Sequence, residues 1–342
     1  MSAENKDLKT SQVINDNNLT AKETTASSTS TSLENPNSAS WQNHQESTFS
    51  LGIDFLVWTR LILGKYLTAL ILVFVAIGIV VFNKNLRQTS NNYLKIITDF
   101  AHTQGLTLPR HNAILHVYTF CDAILDKILA WKGKFTLESL TWNEGYEVIR
   151  DEVLNSPQGS IIIGAHIGNL EILRALGQNS LSKNVNILIE TKNSKKFLAY
   201  LKKTNVDSSL NFIPVEDTNP ATMMLIDEKV KQGELVVILG DRLLTPESRS
   251  VTVSLLNQEV SLPQGPWIIA KLLKVPVYTL FSYKKSGKIY AHIDRFPQVI
   301  IRRNKTVEDI TNYAQMYAHK MEEILLKAPC SWFNFYNYWH KQ

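Results

Sequence analysis

The chain has 342 residues, of which 44% are hydrophobic, and a formal net charge of +5 at pH 7. This length suffices for one large domain or two modest ones, with a sizeable core. The two cysteines, Cys121 and Cys330, lie far apart, which excludes a disulfide framework and a cysteine metal site and indicates a reducing compartment. The basic charge fits nucleic acid, an anionic membrane surface or an acidic protein, and does not distinguish them.

Residues 1–50 form a polar segment rich in Ser, Thr, Asn and Glu. Few of their side chains could be buried to offset the entropy of ordering, so they are predicted to be a disordered tail. The segment has no charged start followed by an apolar stretch and a small-residue cleavage site, which excludes a secretory signal.

Residues 52–85 are strongly apolar, and the part from Tyr66 to Phe82 carries no charge. At 1.5 Å per residue this part makes a helix of about 25 Å, near the lower limit for crossing a bilayer. Basic residues flank it on both sides, too evenly to orient it. We predict a transmembrane or interfacial anchor over 52–85; a buried core helix is the alternative.

The remaining residues, 86–342, are predicted to form one α/β domain. From Ser90 to Lys134 apolar residues recur three or four apart, which indicates helices. Beyond Ser156 short apolar runs alternate with helical segments, which predicts a mixed, largely buried β-sheet flanked by helices. These predicted strands cover Ser160–Ala165, Val185–Glu190, Leu235–Leu239, Val275–Tyr283 and Ile289–Ile293.

A histidine follows the first of these strands in the stretch SIIIGAHIGNLEILRALG. The strand places His166 at its C-terminal end, where open α/β sheets bind ligands. Glu171 falls on the first turn of the predicted following helix, within reach of His166. A carboxylate beside an imidazole suits a general base acting on a hydroxyl or amine, and no Ser or Cys nucleophile is present in the stretch. A structural histidine near a helix-capping acid is the alternative.

A second stretch, ELVVILGDR, also runs a buried strand into charged residues. Asp241 and Arg242 are therefore expected at the same sheet edge as His166. A guanidinium offers a fork of donors to a phosphate or carboxylate. A surface ion pair between Asp241 and Arg242 is the alternative interpretation.

With both stretches in place, the chain resembles the lysophospholipid acyltransferase superfamily, in particular its lipid A lauroyl/myristoyl transferase branch and the predicted glycolipid acyltransferases within it. The resemblance runs from about Arg87 to Trp339 and includes five blocks in the family's order. These blocks are FCDAILDKI, GAHIGNLEILRALG, GDR, VSLPQGPWIIAKLLKVPVYTLFSY and PCSWFNFYNYW. The resemblance implies a glycerol-3-phosphate acyltransferase-like fold.

The resemblance also implies a reaction. The family transfers a fatty acyl group from a thioester, usually on acyl carrier protein, to a lipid or glycolipid at the cytoplasmic face of the inner membrane. It implies His166 as base and Glu171 as its acidic partner. Gly168 and Asn169 complete the motif, and Arg242 with Asp241 positions an anionic part of a substrate. No cofactor, metal or nucleic acid is expected.

Two other functions stay open on the sequence. One is a lysophospholipid or amino-lipid acyltransferase that uses acyl-CoA; the other is a non-catalytic lipid-binding relative. The chain departs from the family at Glu171, where many relatives have Asp, and at Asn257, where a hairpin tends to have Gly. Because Asn tolerates a left-handed turn, the hairpin is expected to be kept.

Two further groups of residues have candidate roles. The segment TKNSKKFLAYLKK places lysines on one predicted helix face, which could meet acyl carrier protein or anionic lipid headgroups, or be merely solvated. These lysines are Lys192, Lys195, Lys196, Lys202 and Lys203. The C-terminal aromatic residues could line an acyl groove, sit at a membrane interface, or pack in the core. They are Trp332, Phe333, Phe335, Tyr336, Tyr338 and Trp339.

Overall fold

The computed structural model describes residues 58–62, 64–131, 140–169, 183–189, 210–215, 220–243 and 248–339. The predicted tail, most of the helix predicted after His166, and the lysine-rich segment lie outside these ranges. The helices within them are α1 (Gly64–Phe82), α2 (Lys84–Thr103), α3 (Ala113–Trp131), α4 (Tyr146–Asn155), α5 (Pro220–Lys231), α6 (Gly265–Leu273) and α7 (Thr306–Lys327).

The strands are β1 (Leu140–Trp142), β2 (Ser160–Gly164), β3 (Val185–Ile189), β4 (Leu210–Pro214), β5 (Leu235–Leu239), β6 (Ser250–Leu255), β7 (Gln258–Pro263), β8 (Val277–Lys285) and β9 (Lys288–Phe296). Seven of them form one sheet in the order β1-β9-β8-β2-β5-β3-β4. All neighbours pair in parallel except β8 and β9, which form an antiparallel hairpin. The predicted mixed α/β class is confirmed.

The central strand β2 shows why its sequence reads as a continuous apolar run. All five of its residues are buried, because helices cover both faces of the sheet. Ile161 and Ile163 belong to a core shared with α2, α5, α6 and α7. Ile162 points to the opposite face, into a core that includes Tyr146 and Val153 of α4.

Strands β6 and β7 form a separate antiparallel hairpin. Its turn places Leu256 and Asn257 at φ values of 55° and 59°, so both central residues are left-handed. This geometry is the tight hairpin turn for which Asn is a favoured residue. The expected hairpin is therefore kept without glycine at position 257.

Helix α1 lies within the segment predicted to be a membrane anchor. Among the described residues it is the one helix long and apolar enough to cross a membrane, and 22% of it is buried inside the protein. One of its faces packs on α3, where Ala76 and Val80 meet Ala113 and Val117. Large apolar side chains such as Phe74 remain exposed on it, which a buried core helix would not leave.

Candidate active site

The site is built where the two central parallel strands end side by side. Strand β2 pairs with β5 so that Gly164 lies opposite Leu239, and the amide of Gly240 donates to the carbonyl of Gly164 at 2.9 Å. His166 follows one strand and Asp241 follows the other. The sheet topology therefore brings together two residues that are 75 positions apart in the sequence.

His166 and Asp241 form a hydrogen-bonded pair. Nδ1 of His166 lies 2.9 Å from Oδ1 of Asp241, and the backbone amide of His166 donates to Oδ2 at 3.1 Å. Because a carboxylate accepts, Nδ1 carries the proton, and Nε2 is the basic nitrogen of the neutral ring. No described residue forms a hydrogen bond with Nε2 of His166. The side chain of His166 is 34% exposed, whereas that of Asp241 is fully buried.

The charge of Asp241 is compensated inside the protein. Burial alone would raise the pKa of this carboxyl, but the charge and hydrogen bond of His166, together with Arg242 and Trp332, hold the pKa well below its usual value. The carboxylate is therefore ionised across the physiological range and can stabilise a protonated imidazole. It lies behind His166 and has no surface to offer a substrate, which differs from the anion-positioning role expected for it.

The aromatic C-terminal segment holds this pair in place. The indole nitrogen of Trp332 donates to Oδ2 of Asp241 at 3.1 Å, and the hydroxyl of Tyr338 donates to the Asp241 carbonyl at 2.6 Å. The amide of Phe333 donates to the carbonyl of His166 at 2.9 Å. Sequence reasoning assigned these aromatics to a groove, a membrane interface or the core, and missed their contact with Asp241.

A buried histidine supports Trp332 from behind. Nε2 of His116 lies 2.8 Å from the Trp332 carbonyl, and Nδ1 lies 2.9 Å from the hydroxyl of Ser90. Because a carbonyl can only accept, Nε2 of His116 donates and Nδ1 accepts. Burial lowers the pKa of His116 to about 4, so this ring is neutral at pH 7. It links Ser90 to the Trp332 carbonyl through its two nitrogens.

Gly168 and Asn169 form the turn that leaves the histidine. Gly168 has a φ of +65°, and a Cβ atom there would lie 2.0 Å from the carbonyl oxygen of Ser282, so only glycine fits. The hydroxyl of Ser282 accepts from the amide of Asn169 at 2.9 Å and lies 3.0 Å from its carbonyl. Both residues thus fix the loop, and both also line the cavity described next.

A cavity of about 580 Å³ opens at His166. This volume lies within the range of about 300–1,000 Å³ that is usual for small-molecule sites. Its polar lining includes His166, Arg242, Lys127 and Asn169. The rest is largely apolar and comes from α3, from strands β3, β4 and β5, and from the C-terminal aromatics Phe333, Phe335 and Tyr336. Such a cavity can hold a hydrocarbon chain with a reactive polar end at the histidine.

Arg242 lies at the polar end of this cavity. Its Nη2 donates to the Phe333 carbonyl at 2.5 Å, and its guanidinium lies 5.3 Å from the centre of the Tyr336 ring. These contacts hold the side chain in place. Its Nε is buried and has no partner among the described residues, and the side chain lines the cavity.

The described residues include only some of the predicted site. His166, Gly168, Asn169, Asp241 and Arg242 come together around one cavity. Glu171, Lys192 and Lys196 lie outside the described residues.

Comparison with known proteins agrees with this geometry. A search of curated proteins finds no match to the chain. A model of the bacterial lipid A biosynthesis acyltransferase family matches residues 122–341, which is more than half of the chain and includes His166, Asp241 and Arg242. The chain therefore belongs to the bacterial lipid A biosynthesis acyltransferase family and is an acyltransferase that acts on lipids of the lipid A type.

Proposed function

We propose that the enzyme transfers a fatty acyl group from a thioester to a hydroxyl or amine of a lipid or glycolipid, with His166 as general base. The observation that carries the proposal is the His166–Asp241 pair, in which Nε2 of His166 has no partner among the described residues and the side chain lines a largely apolar cavity. The thioester donor is an acyl carrier protein or coenzyme A conjugate. The acceptor is a membrane lipid at the cytoplasmic face of the inner membrane.

The reaction proceeds by direct attack. Nε2 of His166 takes the proton of the acceptor hydroxyl as its oxygen bonds to the thioester carbonyl carbon. The resulting tetrahedral oxyanion collapses, the carbon–sulfur bond breaks, and the leaving thiolate receives the proton from the imidazolium. Asp241 stabilises the imidazolium in between, in the role that a buried aspartate has in the Ser-His-Asp template. The chain forms no covalent intermediate.

The other site residues assist this step. Arg242 directly follows Asp241 and lines the same cavity as His166, and it suits an anionic part of the acceptor or donor. Gly168 and Asn169 hold the loop so that the imidazole faces the cavity. Glu171, which belongs to the histidine motif of the family, is proposed as a second acidic group of the reaction.

The proposal also assigns a role to α1. An enzyme whose acceptor stays in a bilayer must hold its active site at the membrane surface. Helix α1 has the length and the exposed apolar side chains for this, and its inner face packs on α3, which lines the active-site cavity. We therefore propose residues 52–85 as the anchor and 86–342 as the catalytic domain.

Replacement of the base tests the mechanism. His166→Ala is expected to lower turnover by about 10²–10⁴-fold, the usual contribution of general-base assistance. Turnover is measured with purified protein and thioesters of both acyl carrier protein and coenzyme A. Mass spectrometry of lipid extracts from cells with His166→Ala should show an acceptor that lacks one acyl chain relative to wild type. The exposed His319→Ala is the matched control, and near-normal turnover of a folded His166→Ala protein would refute the assignment.

Neutralising the buried acid tests the pair. In Asp241→Asn the amide nitrogen must replace one carboxylate oxygen. If it replaces Oδ2, it faces two donors, the His166 amide and the Trp332 indole; if it replaces Oδ1, it faces Nδ1–H. Either arrangement leaves His166 without a charge partner, so kcat is expected to fall about 10²–10⁴-fold.

The control for Asp241→Asn is Asp227→Asn, which removes a surface carboxylate paired with Lys231. It should change kcat little, because exposed ion pairs contribute about 0–1 kcal/mol. Equal kcat in wild type and a folded Asp241→Asn protein would show that His166 does not need this carboxylate.

The indole of Trp332 can be tested separately from its ring volume. Trp332→Phe removes the donor to Oδ2 of Asp241, and a hydrogen bond to a charged group contributes about 1.5–3 kcal/mol. We expect kcat to fall about tenfold or more, with the Michaelis constants for donor and acceptor little changed. Trp267→Phe is the control, because the buried indole nitrogen of Trp267 has no partner among the described residues. A similar loss in both variants would point to packing alone.

Charges on α1 test the membrane anchor. Leu70 and Phe74 are 53% and 66% exposed on this helix. Each Asp raises the free energy of membrane insertion by roughly 2.5–3.5 kcal/mol when it lies at the centre of a membrane-spanning helix. The variant with both replacements should therefore leave the membrane fraction on flotation. Met224→Asp, at a site 73% exposed on α5, is the control and should stay bound. Continued flotation of the α1 variant would place the anchor elsewhere.

A further inference from the structure

The apolar part of the cavity runs across the strands, not along them. Val237 of β5, Ile187 of β3 and Phe212 of β4 are direct partners in the register of the sheet, and all three line the cavity. They belong to one face, the same one that carries Ile162 of β2. Leu239 and Ile189 line the cavity one step nearer the C-terminal ends of these strands.

His166 and Phe212 mark the two ends of this row. The strand order places β5, β3 and β4 successively farther from β2, the strand that delivers His166. Because neighbouring strands lie about 4.7–4.9 Å apart, three steps span about 14 Å. Of the described residues that line the cavity, Phe212 is the one on the strand farthest from the histidine.

Helix α3 lines the cavity beside this row. Phe120, Ala123 and Ile124 of α3 contribute side chains to the cavity. On the same helix Asp122 and Asp126 hold the Lys284 ammonium of β8 at 2.8 and 2.7 Å. Asp126 is buried and Lys284 largely so, and separating a charge from its partners there is costly. The helix is therefore tied to the sheet at β8.

The chemistry of acyl transfer decides which chain enters the groove. The reacting carbonyl carbon is itself the first carbon of the donor's acyl chain, and it must lie against the acceptor oxygen whose proton Nε2 of His166 removes. An apolar path that starts at His166 therefore fits the transferred chain.

We propose that Phe212 is the end wall of this acyl groove and sets the longest chain that the enzyme transfers efficiently. The inference rests on the proposed function and goes beyond it, because it names the residue that selects the donor. Each methylene that the groove buries raises affinity about fourfold. Once the chain meets the Phe212 ring, a further carbon gains nothing and must bend or displace the ring, which disfavours the longer donor.

Changing the size of residue 212 in both directions tests the proposal. The enzyme is given an equimolar mixture of even-numbered saturated acyl thioesters, and mass spectrometry of the product measures the kcat/KM ratio of each chain length to the next. In Phe212→Ala the preference should move to longer chains, with the ratio of the next longer donor to the wild-type optimum rising about tenfold or more. In Phe212→Trp it should move to shorter chains.

Two controls separate an end wall from general loosening. Ile124→Ala shortens a side wall on α3 and should lower kcat/KM for all chains that reach it, without a new preference for longer ones. Met224→Ala, on the exposed face of α5, should leave the product distribution as in wild type. If Phe212→Ala does not fold, Phe212→Leu gives the same test with a smaller change of volume.

The outcomes distinguish a failure of the end-wall role from a failure of the proposed acyltransferase function. An unchanged length preference in active Phe212→Ala and Phe212→Trp proteins overturns the end-wall role and leaves the transferase intact. A wild-type protein that turns over no acyl thioester overturns the proposed function itself. Opposite shifts in the two variants, with the Ile124→Ala profile unshifted, establish Phe212 as the length-determining residue.

Discussion

The active site depends on one fully buried carboxylate. An ionised group in a protein interior is costly unless hydrogen bonds and opposite charge compensate it. Around Asp241 that compensation comes from the imidazole and amide of His166 and the indole of Trp332, with Tyr338 bound to its backbone carbonyl. Satisfying this carboxylate therefore orients the imidazole, fixes the two loops at the ends of β2 and β5, and secures the C-terminal aromatic segment over them.

The same arrangement joins the chemistry to the substrate groove. The loops that carry His166 and Asp241 lie at the edge of the sheet where parallel strands end. The face of the sheet leading away from them is apolar from Val237 to Phe212, and α3 lines the same cavity. Since α3 also packs against α1, a single helix lines the cavity and supports the exposed apolar helix. The proposed acyl groove and anchor are thus parts of one packed unit.

Much of the fold could be predicted from the pattern of apolar runs. The strands β2, β3 and β5 agree with their predicted ranges within one residue at each end, because buried parallel strands are continuous apolar runs. Strands β1 and β4 were missed. The first has three residues, and the second contains Asn211 and ends in Pro214 at the edge of the described sheet. Neither forms the continuous apolar run that β2 and β5 show.

By itself the sequence determined which residue types stand at the ends of the strands, and from them the histidine motif, the Asp-Arg block and the family they resemble. It placed His166 and Asp241 at one sheet edge and predicted the nearby Glu171, which lies outside the described residues, as the acidic partner of the histidine. Only the tertiary structure decided that Asp241 bonds His166, that Trp332 bonds Asp241, and that Phe212 stands across the sheet from the catalytic end. Local spacing can report neighbours along one helix or strand. Contacts between residues 75 or 91 positions apart depend on strand order, which is chosen by the packing of the whole sheet.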